Sequence, residues 1–445
     1  MSTPVSRSHT PDSARKASSA AVGAWILYDF ANTIFSVSIL SYFFPLWLGD
    51  ELGAGADLFN YITAASMLLV ALTAPFLGAV ADLRQRRKPY LILLTTLAGM
   101  GVMGLNVFGT VVSAVAVFIA ANFAYQCTQV FYNSLLPGIA GERGAGRVSG
   151  YGVAAGYVGS ILALLFLTLF VTSPQMMRDL LGPLGFWIET EGELNSNAFI
   201  PTAVLYLLFS LPAFFLVPDH RIRPPRPVRL IPAYRDVLRT VRDIRLYPGM
   251  GAFIIATFLF TDTANTVVTN MSLYGRVVFE MEQAEIRNLL IFSTVFAVFG
   301  ALGFGLVVDR IGPKRAMIAV VCLWLVSVTL ATVALEAWML LLAGPLIGIS
   351  LGSTWVVSRV MLVALSPPEK LGEFFGFYAL AGRFSAVTGP LLTGIILTTF
   401  SGLGGGAYRL ALFALLITLS ISLLILLRLP DRRPDRVVEE FSRQS

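Results

Sequence analysis

The sequence predicts an all-α polytopic membrane protein with twelve transmembrane helices, arranged as two six-helix bundles related by pseudo-twofold symmetry. Three observations predict it. Apolar runs of twenty or more residues recur with almost no charge, basic residues crowd into every second connection, and short motifs return in the same order in each half. Of the 445 residues, 56% are hydrophobic and 13% charged, against about 25% charged in a soluble domain. Too little charged surface is present for a soluble protein with an apolar core. A spanning helix needs roughly 20 mostly apolar residues to cross about 30 Å of hydrocarbon. Stretches that qualify lie at 18–48, 60–82, 89–109, 111–138, 149–172, 199–217, 250–274, 287–308, 316–334, 337–364, 373–397 and 407–428.

Residues 1–16, with Pro4, Pro11 and several Ser and Thr, read as a disordered cytoplasmic tail. The first apolar run is too long for a signal peptide and lacks a small-residue cleavage site, so it is expected to stay as a helix. It opens a first bundle over 17–217. Arg84, Arg86, Arg87 and Lys88 follow the second span, Arg143 and Arg147 follow the fourth, and Arg310, Lys314 and Arg315 follow the eighth. Eight arginines between Arg221 and Arg245 crowd the linker 218–249, whose segment 232–246 reads as an amphipathic surface helix. The alternate connections are acidic: Asp50, Glu51 and Asp57, then Glu189, Glu191 and Glu193, then Glu280, Glu282 and Glu285. By the positive-inside rule both termini and the linker are cytoplasmic, in a multi-pass protein of the bacterial inner membrane. Topology accounts for the basic clusters, so nucleic acid is not expected as a partner. A second bundle over 250–428 and a cytoplasmic tail over 429–445 complete the chain.

The halves resemble each other at offsets of 226 to 233 residues. Asp29-Phe30-Ala31-Asn32-Thr33 returns as Asp262-Thr263-Ala264-Asn265-Thr266. Gly78 to Asp82 with Arg86, Arg87 and Lys88 returns as Gly305 to Asp309 with Lys314 and Arg315. Gly150-Tyr151 with Ala155-Gly156 returns as Gly376-Phe377 with Ala381-Gly382. Six helices per half give both halves the same orientation, a parallel repeat about an axis along the membrane normal.

Ionisable residues within a membrane helix cost roughly 2.5–3.5 kcal/mol each on insertion scales and usually face a cavity or a partner. On the first span Asp29, Asn32, Thr33 and Ser36 fall on one helical face beside Tyr28; on the seventh, Asp262, Asn265, Thr266 and Thr269 repeat it. Asn122, Gln126, Gln129 and Asn133 share a face of the fourth span, and the repeat matches Gln129 and Asn133 to Trp355 and Arg359 on the tenth. These stripes are expected to line a shared cavity on the pseudo-symmetry axis that takes a small polar solute. The bland reading is that Asn, Thr and Gln tie helices together, at about 0.6 kcal/mol each. Burial favours the neutral form of a carboxyl group, which makes Asp29 and Asp262 candidates for proton coupling. Arg383 falls near mid-membrane on the eleventh span and needs a carboxylate partner or a substrate anion. Carboxylates and a guanidinium in one cavity suit a zwitterion such as an amino acid; the alternative is an internal ion pair from Arg383 to an aspartate. Arg359 sits nearer the cytoplasmic end, where its side chain can snorkel.

Gly78…Asp82…Arg86-Arg87-Lys88, echoed at Gly305…Asp309…Lys314-Arg315, resembles the loop between helices two and three of the major facilitator superfamily. Trp25 to Asn32, Phe131-Tyr132-Asn133-Ser134-Leu135-Leu136-Pro137, Arg147 to Gly152, Thr261-Asp262 with Asn265-Thr266, and Glu373-Phe374-Phe375-Gly376-Phe377-Tyr378 resemble, more narrowly, its Atg22-like (UMF1) branch. At one point the chain departs, with Thr263-Ala264 after Asp262 where that branch often has Gly first. The resemblance implies a major facilitator fold, secondary active transport by alternating access, and a cavity lined by helices one, four, seven and ten. It also implies that the two charged loops are gates, Asp82 and Asp309 locking the inward side against basic residues and a helix N-terminus. Eukaryotic relatives are associated with amino-acid efflux from vacuoles.

Other chemistry is not expected. No phosphate-binding loop occurs, and His9 and His220 lie in the tail and the linker. Cys127 and Cys322 are lone residues within apolar helices, read as core. No catalytic residue, metal or cofactor is foreseen, and the chain reads as a monomeric transporter in contact with lipid. The competing reading is a receptor or assembly factor that keeps a transporter fold without moving solute.

Overall fold

The computed structural model describes residues 18–431 apart from 54–55, 106–109, 141–143, 193, 220–234, 236, 241 and 243. The two tails, most of the linker and most of its foreseen surface helix therefore lie outside the described residues.

Among the described residues twelve helices are long and apolar enough to cross a membrane: α1 (Ser19–Glu51), α2 (Ala56–Arg84), α3 (Lys88–Leu105), α4 (Val111–Ala140), α5 (Ala145–Thr172), α6 (Phe199–Leu216), α7 (Met250–Phe279), α8 (Gln283–Ile311), α9 (Pro313–Val333), α10 (Ala337–Leu365), α11 (Leu371–Thr399) and α12 (Gly405–Leu427). Their starts and stops follow local chemistry. Pro313 opens α9 behind Gly312, whose φ is 87°, a backbone that L side chains rarely adopt. Glu282 and Glu285 form a capping box at the start of α8. Lys88 Nζ donates to the Phe215 and Val217 carbonyls (3.3 and 2.9 Å), and Lys314 Nζ to those of Leu427 and Leu429 (3.1 and 2.5 Å). Each lysine thus caps the C-terminal end of its own half's last helix, where a cation is favoured.

With an even number of spans, both ends of the described chain lie on one side, called here the terminal side. Packing inside the halves repeats: α1 lies on α5 and α6 as α7 lies on α11 and α12, and α3 on α4 and α6 as α9 on α10 and α12. The first half buries an aromatic core in which Phe35 stacks on Tyr125 at 4.3 Å and Phe44 on Phe118 at 4.1 Å. The second buries Phe253, Phe260, Trp324 and Leu419 among aliphatic side chains. Large apolar residues such as Leu72, Leu165, Phe215 and Leu391 face outward, as expected of helices solvated by lipid tails.

The halves meet along two seams, α2 against α11 and α5 against α8. Small residues make them close. A Cβ at Gly150 would stand 2.6 Å from the Ala301 carbonyl oxygen, and one at Gly305 2.8 Å from that of Gly146. Backbones touch there, as small-residue interfaces allow in membranes.

Candidate functional site

The polar face of α1 is regular through Phe35, so Asp29, Asn32 and Thr33 share a side as the spacing requires. From Ser36 to Tyr42 the backbone widens into a π-helix, and again at Trp47–Glu51. Wider turns rotate later residues off the α-helical face. Ser36 lies near the Tyr125 hydroxyl of α4, in its own half.

Asp29 crosses to the other half. Arg359 of α10 reaches it with both terminal nitrogens, Nη1 to Oδ2 at 2.8 Å and Nη2 to Oδ1 at 3.3 Å. The guanidinium lies over the rings of Trp25 (5.8 Å) and Tyr132 (5.5 Å), a cation–π arrangement. Those rings stack at 4.4 Å, and each polar tip donates to the other's backbone: Trp25 Nε1 to the Tyr132 carbonyl and Tyr132 Oη to that of Trp25. Tyr28, stacked on Tyr132, bonds Thr95. Gly152 makes room, since a Cβ there would stand 2.9 Å from Asp29 Oδ2. Arg359 therefore does not snorkel. Its side chain is 12% exposed and turned inward, because a bidentate carboxylate and two aromatic faces hold it better than the distant surface.

Asp262 differs. It accepts from Thr388 Oγ1 of α11 at 2.6 Å, and among the described residues it has no cationic partner. Gly389 clears space for it as Gly152 does for Asp29. Asn265 Nδ2 donates to Ser385 Oγ, also on α11. Thr266 borders a small cavity inside the second half with Asn270, Tyr274 and Thr393. The expectation of two equivalent carboxylates on one axial cavity is thus corrected: Asp29 is engaged across the halves and Asp262 faces a helix of its own half. Sequence repeats preserve position on a helix, while the partner depends on how the bundles are tilted.

For Arg383 the alternative of an internal ion pair with an aspartate is corrected. Its Nη2 donates to Gln126 Oε1 of α4 rather than to a carboxylate. Thr33 Oγ1 bonds the Asp29 carbonyl within its helix, Gln129 is half-buried, Asn133 is buried with Oδ1 unpartnered among the described residues, and Trp355 packs with Tyr157 against one apolar cluster. The Thr269 side chain lies outside the described part.

On the terminal side the charged loops make two equivalent latches. Asp82 accepts the N–H of Glu373 at 3.0 Å, at the start of α11, while Arg87 Nη2 bonds its other oxygen at 2.8 Å. Arg87 also donates to the Pro368 carbonyl. Asp309 accepts the N–H groups of Gly146 and Arg147 at the start of α5, at 2.8 and 3.0 Å, and Arg147 Nε at 3.2 Å. Each carboxylate therefore sits on the positive end of a helix in the opposite half. Of the other loop residues, Lys88 and Lys314 serve their own halves, Arg86 borders an exposed groove with Asp219, and Arg315 lies 3.7 Å from Asp431. The sequence reading passed over Trp25, Tyr132, Thr388 and Ser385. Trp25 and Tyr132 lie in motifs already singled out; Thr388 and Ser385 carry no signal of their own.

A family profile described as vacuole effluxer Atg22 like matches residues 55–437. An uncharacterized protein of Aquifex aeolicus is 26% identical over 83% of this chain and 87% of its own length. The MFS-type transporter YxiO of Bacillus subtilis is 23% identical over 94% and 96%, and autophagy-related protein 22 of Kluyveromyces lactis 22% over 73% and 68%. Among solved structures, the human organic anion transporter TETRAN superposes with a TM-score of 0.68 at 12% identity, over 91% of this chain and 98% of that one. The proton:xylose symporter XylE does so with 0.67 at 13%, over 93% and 95%. At these identities the structural likeness speaks for the fold alone.

Proposed function

The chain belongs to the vacuole effluxer Atg22-like family, with the major facilitator fold of a multi-pass membrane transporter and not of an enzyme, and from that premise we propose that it moves a small polar solute by gradient-driven alternating access. The observation that carries this reading is the pair of latches. Asp82 and Asp309 each cap a helix of the opposite half, and both do so on the terminal side. Contacts that cap a helix end without a covalent tie can be made and released as the halves rock. The excess of Arg and Lys in the connections on this side supports a cytoplasmic orientation for it, in a bacterial inner membrane.

The solute site proposed is the region where Asp29, Arg359, Gln126 and Arg383 cross between halves. Both halves belong to one chain, so one chain suffices as the working unit. Amino acids are the first solutes to test, since guanidiniums and a carboxylate are offered together there. Asp262, whose carboxylate has no cation beside it among the described residues, is the proposed proton carrier.

Two measurements test this. Counterflow of labelled solutes in proteoliposomes should show transient accumulation; binding without accumulation would favour a receptor. Spin labels on the exposed Arg86 and Arg315 loops should report two distances, with the longer one populated when the terminal side opens. A single distance under every condition would refute alternating access without any solute being known.

A further inference from the structure

Two partly buried guanidiniums lie where the halves cross, and they are not equivalent. Arg359 is neutralised by Asp29 and clasped by Trp25 and Tyr132. Among the described residues Arg383 has one hydrogen-bond partner, the neutral Gln126, and its Nε is buried with none. Gln126 is itself held: its Nε2 donates to Asn122 Oδ1 at 3.2 Å, and Asn122 Nδ2 donates to Ser66 Oγ at 3.0 Å. That chain of amides aims Oε1 at Arg383 and supplies no charge. Among the described residues no carboxylate lies within ion-pair distance of Arg383. Asp262 is held at Thr388, about 140° around α11 from position 383. The other neighbours, Tyr125, Cys127 and Tyr378, are neutral. Both amide atoms of Asn32, whose carbonyl accepts from the Tyr125 hydroxyl, are also buried without partners.

A cation within a membrane helix without a counter-charge is costly, and its own unspent Nε makes the place ready for an acceptor. We propose that Arg383 is the anion-binding residue of the solute site, and that the transported solute carries an oxyanion group, a carboxylate first among them. The planar fork of an arginine pairs with two oxygens at once; Gln126 takes one nitrogen, and among the described residues nothing else bonds the fork. The inference rests on the transport reading above and narrows its substrate class.

The test uses the full chain in detergent, with thermal unfolding as readout. L-glutamate, L-leucine, succinate and inorganic phosphate are compared with the neutral leucinamide and succinamide. At least one oxyanion should raise the melting temperature while its amide does not, and binding should weaken about 30-fold or more in Arg383→Gln. A response to phosphate alone would name phosphate as the group; a response to carboxylates alone would name carboxylate. Without ligand, Arg383→Gln should leave the melting temperature unchanged or higher, because it removes an uncompensated charge, whereas Arg359→Gln should lower it. The proposal is overturned if no oxyanion stabilises the protein, if Arg383→Gln binds as tightly as the parent, or if it destabilises the unliganded chain as much as Arg359→Gln. Should Arg383→Gln unfold outright, Arg383→Lys, which keeps the charge and loses the fork, must still show weakened binding. The spin-label distances are read without solute, so a failure here leaves alternating access standing, and a failure there is separately visible.

Discussion

Neutralising a latch should open the terminal side by a calculable amount. Asp309 accepts three hydrogen bonds, two from backbone N–H groups at the first turn of α5 and one from the half-exposed Arg147. A carboxylate at a helix N-terminus contributes typically 0.3–1 kcal/mol and up to about 2 kcal/mol where partly buried. The Arg147 pair, with its arginine 52% exposed, adds little. Asp309→Asn keeps an acceptor and removes the charge, so the closed state should lose about 1–2 kcal/mol, a shift of roughly 5- to 30-fold toward open. Asp82→Asn releases the start of α11 in the same way. It also strands Arg87, which is buried, so its shift should be at least as large. The two latches share no partner, so their effects should add. The assay is the distance distribution between spin labels at Arg86 and Arg315. A change below twofold in both variants, or a shift toward the closed distance, would refute the claim that these carboxylates hold the halves together.

Other consequences follow from the same contacts. Gly150→Val places a side chain against the Ala301 carbonyl; overpacking of about 1–3 kcal/mol should favour the open distance in the same experiment and slow counterflow. Arg359→Gln leaves Asp29 buried and unpaired, at about 3–5 kcal/mol, and Asp29→Asn added to it should recover most of the loss in denaturant unfolding. Asp262→Asn should flatten the pH dependence of counterflow while leaving the spin-label distances unchanged; an unaltered pH profile would remove Asp262 as the proton carrier. Lys314→Ala removes the cation from the last carbonyls of α12 and should cost about 1 kcal/mol in the same unfolding assay, with no effect on gating.

Legibility in the sequence differed between the two kinds of feature. All twelve spans are visible as apolar runs, and the observed helices begin and end within a few residues of them, because the thickness of hydrocarbon fixes a length that composition must meet. Twin loops carrying Asp82 and Asp309 are visible because a repeat copies local sequence. Their acceptor role is half visible: the carboxylates are conspicuous, but the N–H groups of Gly146 and Glu373 belong to backbone and leave no residue-type signal.

Composition, periodicity and duplication alone determined that this chain is a twelve-helix membrane protein of two similar halves. Only the tertiary structure decided which polar groups meet. Arg359 joins Asp29 from 330 residues away, Arg383 settles on Gln126, and Asp262 turns to α11. A helical stripe specifies a direction from one axis, whereas a partner depends on the rotation and tilt of two axes together. The π-helical turns of α1 shift that rotation further. Equivalent aspartates in duplicated segments could therefore acquire different partners, one a cation across the seam and the other a hydroxyl at home.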